Sequence, residues 1–169
     1  MEDKKTGSGG TSGQTDTYRI GLISDTHGQL RKSAIAALKG VDRIIHAGDI
    51  DFSGILDKLG RIAPVHAVRG NMDKHNGLRH LPSFDIIEVG RVAIGIIHDR
   101  EQLDLDPAAA GLSVVVYGHT HRPATDERDG VLFINPGSAG PRRFKLPISM
   151  GSLHINGESV TAELIELEE

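Results

Sequence analysis

The stretch Val114-Val115-Val116-Tyr117-Gly118-His119-Thr120-His121 is the point from which the rest of the chain is organised. Four strand-favouring residues run into a glycine that ends the strand, and two histidines follow at i and i+2. In extended backbone that spacing points both imidazoles to one side. Imidazole is the commonest metal-binding side chain. Alone, the pair also reads as two loop histidines that happen to be close. It becomes a metal site if other strands end in partners of the right type.

Working outward, they do. The strand candidate Tyr18–Ser24 ends in Asp25-Thr26-His27, Arg43–His46 in Ala47-Gly48-Asp49, and Val65–Val68 in Arg69-Gly70-Asn71. Between them lie helix-spaced apolar sets: Leu30, Ala34, Ala37 and Leu38 closed by Gly40, then Phe52, Ile55, Leu56 and Leu59 followed by Gly60. Strand, polar loop and helix in repetition indicate a parallel α/β layout. The second half changes character. Phe84–Val89 and Val92–Ile97 flank a Gly90-Arg91 turn, and the second strand runs into His98. A helical stretch is expected from Glu101 to Gly111, then strands at 114–117, 131–135, 148–155 and 159–167, with Asn156-Gly157 as a hairpin signal.

Five strand ends therefore carry ligand types: Asp25 with His27, Asp49, Asn71, His98, and His119 with His121. Each has a plainer reading taken singly, as an N-cap, a turn or a structural histidine. Together they match the place where open α/β sheets bind ligands, the crevice at the carboxyl ends of strands. The other histidines draw plainer readings. His46 is expected to hydrogen-bond near the site, His66 and His154 lie in strands, and His75 and His80 sit in a polar stretch.

Composition narrows the chemistry. The 169 residues suit one domain, expected over 18–169 after a flexible Gly/Ser-rich tail at 1–17. No cysteine is present, so thiolate sites and disulfides are excluded. A net charge of −4 provides no basic field for specific nucleic-acid binding, while nine histidines supply metal ligands. No apolar run approaches a membrane span, and the N-terminus has no secretory pattern. A cytoplasmic protein is expected, with self-association left open.

As an ordered set, Asp25-Thr26-His27, Gly48-Asp49, Gly70-Asn71-Met72-Asp73, His98, Gly118-His119-Thr120-His121 and Asn135-Pro136-Gly137-Ser138 resemble the calcineurin-like metallophosphoesterases, in particular their small single-domain bacterial and archaeal phosphodiesterase branch. The resemblance spans about Tyr18 to Leu167. It implies an α/β fold, a four-layer α/β/β/α sandwich with two mixed β-sheets, and two divalent metal ions, Mn²⁺ first with Fe, Zn, Co or Ni also admitted. By that resemblance, one ion takes Asp25, His27, Asp49 and His121, and the other takes Asp49, Asn71, His98 and His119, with Asp49 bridging. The implied activity is hydrolysis of a small phosphate ester, a phosphodiester first, by a hydroxide held between the ions. Asp49 and Asn71 stand at the reaction, and Arg142 is a further candidate substrate contact. Two ions, two carboxylates and one hydroxide leave an inner charge near +1, suited to an anionic ester.

The chain departs from the family pattern twice. Met72 stands where larger relatives carry a histidine thought to assist the leaving group, so no general acid is assigned. His98-Asp99-Arg100 replaces the His-Gly-His common in the small branch, which changes the loop beside the second metal. The competing reading is a non-catalytic scaffold of the same fold, as in the eukaryotic retromer complex. Intact ligands at all seven positions weigh against it.

Overall fold

The computed structural model describes residues 16–75 and 77–169. The tail expected at 1–17 lies outside them up to residue 15, and the first strand already includes Thr17. In chain order the elements are β1 (Thr17–Ile23), α1 (Lys32–Ala37), β2 (Arg43–His46), α2 (Gly54–Gly60), β3 (Val65–Ala67), β4 (Phe84–Val89), β5 (Val92–Ile97), β6 (Val114–Val116), β7 (Ala124–Arg128), β8 (Val131–Asn135), β9 (Ser149–Asn156) and β10 (Ser159–Glu166). They form two mixed five-stranded sheets, ordered β10-β9-β1-β2-β3 and β4-β5-β6-β8-β7. β1, β2 and β3 run parallel in the first sheet, and β5, β6 and β8 run parallel in the second.

The period-2 alternation of each strand decides which face its side chains reach. Ile20 and Leu22 of β1 join Ile94, Ile96, Val114 and Val116 of the second sheet in the core between the sheets. The neighbours Ile23 and Ile44 turn the other way and pack under α1 and α2, against Leu38, Ile55 and Leu59. Gly21 faces Leu38 there, and any Cβ would overlap that side chain, so the close approach of α1 depends on glycine. Val115, Tyr117 and Phe133 cover the outer face of the second sheet with Leu103, Leu105 and Leu112. The α/β sandwich expected from the sequence is therefore present.

Its fourth layer is thin. Where a helix was expected over 101–111, a 3₁₀ turn at Arg100–Gln102 is followed by irregular chain and turns. Asp99 caps that turn by accepting the Glu101 N–H at 3.1 Å, and Asp106 takes the N–H groups of Ala108 and Ala109 at 3.1 and 3.3 Å. These side-chain bonds offer the backbone an alternative to a helix. Strand β7 was not expected, because Ala-Thr-Asp-Glu-Arg has no apolar alternation. It is a charged edge strand of the kind that resists edge-to-edge pairing. Its signal is Asp129-Gly130, both at positive φ, a two-residue hairpin turn into β8. No helix among the described residues is long and apolar enough to cross a membrane.

Candidate metal centre

The carboxyl ends of the parallel strands meet at one rim of the sandwich, and backbone hydrogen bonds knit their loops together. Asp25 N donates to Gly48 O and His27 N to Asp49 O, each at 3.0 Å, and Gly118 N donates to His98 O at 2.9 Å. Asp25, His27, Asp49, Asp51, His119 and His121 all hold positive φ, six of the eight such non-glycine residues described. Left-handed backbone is strained for most side chains, and its concentration at one rim marks a place where loop shape is over-determined by its surroundings.

Asp25 is fully buried. Its Oδ2 accepts from Ser24 Oγ at 2.8 Å and from the His119 N–H at 3.1 Å. Its Oδ1 has no donor at all. That oxygen instead faces the Nε2 atoms of His121 at 3.3 Å and of His27 and His98 at 3.9 Å. Asp49 is arranged alike: Oδ1 accepts the Met72 N–H at 2.9 Å, while Oδ2 lies 3.3 Å from His98 Nε2 and 3.9 Å from His27 Nε2. His98 Nδ1 donates to the Ala47 carbonyl at 2.7 Å, so its neutral ring presents a lone pair on Nε2. That lone pair meets Asn71 Oδ1 at 3.1 Å as well as Asp49. His27 Nε2 and His121 Nε2 face each other at 3.3 Å.

Acceptors converging on acceptors repel unless a proton or a cation lies between them. The electrostatics agree. Burial pushes the His98 imidazole down, but its hydrogen bond to Asp49 and the charges of Asp25 and Asp49 outweigh it, and the net shift is upward. Burial pushes Asp49 up, yet the His98 and Met72 donors carry it below its usual value. A field that favours a proton on His98 favours any cation placed there. The donor set of imidazole, carboxylate and amide oxygen suits a borderline divalent metal. Two ligand triads are close enough to hold one ion each, Asp25-His27-His121 and Asp25-Asp49-His98.

The structure thus brings together Asp25, His27, Asp49, His98 and His121, with Asn71 at their edge. His119 stands further out and is exposed, its ring edge-on to His98 at 5.2 Å and its Nε2 4.0 Å from Asp99. Both triads share Asp25, where Asp49 was expected as the common ligand. Arg142 pairs with Glu169 at 2.8 Å, and it does not line the cavity beside the cluster.

Sequence reading left Asp51 out and gave no role to Asp73, Asn135 and Ser138, although the last three stand in the quoted motifs. Asp51 Oδ2 takes a hydrogen bond from His27 Nδ1 at 3.1 Å, which leaves Nε2 as the ligand atom. Asp73 is buried and accepts three backbone N–H groups, those of Ile50 and Asp51 at 2.9 Å and of Gly70 at 2.8 Å. It joins the loop of Asp49 to the loop of Asn71. Asn135 Nδ2 donates to Gly118 O and Thr120 Oγ1 at 3.0 Å, and Ser138 Oγ donates to Asp25 O at 2.9 Å. For Asp51 and Asp73 the available signal was an acid two positions after the ligands Asp49 and Asn71. His46 does sit behind the site as expected: Nδ1 accepts the Gly48 N–H at 3.1 Å, and Nε2 meets Thr26 Oγ1 at 3.0 Å. Burial lowers its pKa to about 3, against the pull of Asp25, so it is a neutral strut.

The two-sheet sandwich, with aspartate and histidine gathered at one rim, is matched by a family model. The calcineurin-like phosphoesterase superfamily domain matches residues 18–158, and the chain belongs to that family. Two archaeal probable metallophosphoesterases resemble it. The one from Methanocaldococcus jannaschii is 39% identical, covering 90% of this chain and 83% of the relative. The one from Methanothermobacter thermautotrophicus is 36% identical, covering 86% and 91%. A phosphodiesterase of Methanocaldococcus jannaschii is 32% identical over 70% of this chain and 82% of its own length. Among solved structures, vacuolar protein sorting 29 from Cryptosporidium parvum shares the fold with a TM-score of 0.76 and 22% identity, covering 90% of this chain and 93% of that one.

Proposed function

We infer that the chain is a phosphodiesterase that works with two divalent ions, Mn²⁺ first among them. The carrying observation is Asp25 Oδ1, a buried carboxylate oxygen with no donor, aimed at three imidazole Nε2 atoms. Asp25, His27 and His121 would hold one ion, and His98, Asn71 and His119 the other. Asp49 stands between them, since its Oδ2 faces both His27 and His98. When bound, the ions supply Lewis acidity toward a phosphoryl oxygen and lower the pKa of a water.

The protein's own groups do the positioning. Met72 N–H on Asp49 Oδ1 turns Oδ2 toward both imidazoles. The Ala47 carbonyl on His98 Nδ1 keeps Nε2 unprotonated in the neutral ring. With its Oδ1 on the His98 side, Asn71 has an amide nitrogen to donate to a phosphoryl oxygen at the exposed mouth. Met72 cannot donate a proton, and no general acid is assigned to the leaving group. Esters with good leaving groups are the favoured substrates.

The test is hydrolysis of bis(p-nitrophenyl) phosphate. Activity should depend on added Mn²⁺ and stop with chelator, and Asp49→Ala should lower kcat/KM by at least about a hundredfold, the upper end of what losing a residue that merely supports a metal ligand costs. Unchanged turnover in that variant refutes the assignment. The fold shared with vacuolar protein sorting 29 favours a second reading, a protein-binding scaffold. Purified protein that binds no divalent metal and stays inert after Mn²⁺ addition would support it instead.

A further inference from the structure

A cavity of about 820 Å³ opens off the metal-ligand cluster, with Asn71, His98 and His119 in its wall. Cavities of about 300–1,000 Å³ bury ligands of drug size. The space therefore exceeds what a simple phosphate ester needs.

Its lining has two chemical characters. Arg69, Lys74 and Arg79 come from the same connection as Asn71, between β3 and β4. None of them joins an ion pair among the described residues, where the paired arginines are Arg91, Arg100, Arg128 and Arg142. Arg69 Nη1 donates to the Arg79 carbonyl at 3.2 Å, which holds these two positions together. Phe84, Leu103 and Leu105 form the apolar part, packed with the outer face of the second sheet.

We propose that this cavity is a subsite for the body of the substrate, and that Arg69, Lys74 and Arg79 recognise a second phosphate carried on it. The apolar part of that body lies on Phe84, Leu103 and Leu105. Guanidinium forks match phosphate oxygens bidentately, and lysine adds a point charge. Asp99 and Asp104 also line the cavity, on the 97–105 stretch, while Asp73 on the 69–79 stretch is buried with its carboxylate held by three backbone N–H groups, so the second phosphate is drawn to the 69–79 stretch. The substrate class is thus a phosphodiester with a further phosphate on an organic body large enough to reach past the metal-ligand cluster. The proposal rests on the phosphodiesterase reading.

Two chromogenic esters separate the possibilities. Thymidine 3′-phosphate 5′-(p-nitrophenyl phosphate) and thymidine 5′-(p-nitrophenyl phosphate) differ only in the second phosphate. The first should show kcat/KM about tenfold higher, the scale of one charge-assisted contact. Arg79→Ala and Lys74→Ala should each bring that ratio toward one, and Arg79→Lys should keep part of it. Calorimetry on the protein as purified supplies a readout apart from turnover. Thymidine 3′,5′-bisphosphate should bind about tenfold more tightly than thymidine 5′-monophosphate, with the gap narrowing as salt rises. Equal kcat/KM for the two esters, or a preference that survives both alanine substitutions, overturns the subsite. If neither ester is turned over with any divalent metal, the phosphodiesterase reading falls, and the bisphosphate binding still decides the subsite.

Discussion

Asp73→Asn should unfasten the metal-site loops without touching a ligand. The carboxylate is 1% exposed and accepts three backbone N–H groups from two loops. An asparagine keeps one oxygen. If that oxygen serves Ile50 and Asp51, the amide NH₂ faces the Gly70 N–H, donor against donor. One buried unsatisfied donor costs about 1–3 kcal/mol, and loss of charge assistance at the other two bonds costs about 1 kcal/mol each. The expected destabilisation is about 3–5 kcal/mol. For a domain of this size that corresponds to a fall in Tm of about 6–20 °C. Urea titration followed by circular dichroism measures it, with the midpoint moving and the slope unchanged. Metal affinity should fall with it, because Asp49 and Asn71 sit on the two loops that Asp73 joins. A change under about 1 kcal/mol would refute the reasoning, since it would mean that water satisfies these N–H groups and the loops hold their shape without Asp73.

Two further outcomes follow from the same rim. A Cβ at Gly70 would overlap Asp49 Oδ1 and the Asp49 backbone nitrogen. Gly70→Ala should therefore displace that ligand and weaken divalent-metal binding by about tenfold or more, with about 1–3 kcal/mol of overpacking cost, measured by metal titration and melting. His46 has a folded pKa of about 3 against an ordinary 6.5, so below about pH 6.5 the unfolded chain takes up a proton that the folded protein refuses. Its contribution is intact above that value and is lost as pH falls toward 3. The wild type should lose about 2 kcal/mol more than His46→Gln between pH 7 and pH 5, read by urea titration at each pH. Parallel pH profiles for the two proteins would contradict this.

Much of the site was legible because ligand types stand at strand ends, and strand ends are readable from short apolar runs. Val92–Ile97 before His98 and Val114–Val116 before Gly118 are such runs, and both strands form there. The elements that escaped were those without apolar periodicity. β7 is a charged edge strand, and 101–111 carries enough alanine for a helix but has side chains at Asp99 and Asp106 that capture the backbone first. Asp51 escaped, and Asp73 was seen without its role, because a carboxylate that holds backbone N–H groups or an imidazole looks, in sequence, like any loop acid.

The sequence by itself determined the α/β class, the β4–β5 and β9–β10 hairpins, and the residue types that gather at the rim, because periodicity and turn chemistry are local. Only tertiary structure decided how those residues share their work. Asp25 Oδ1, and not Asp49 alone, lies among three imidazoles. His119 stands apart from His121 although one residue separates them, and Arg142 pairs with Glu169. Such outcomes depend on the separation of two sheets and the left-handed turns that end their strands. Both are set by packing between segments far apart in the chain, as where His27 meets His121 across 94 residues.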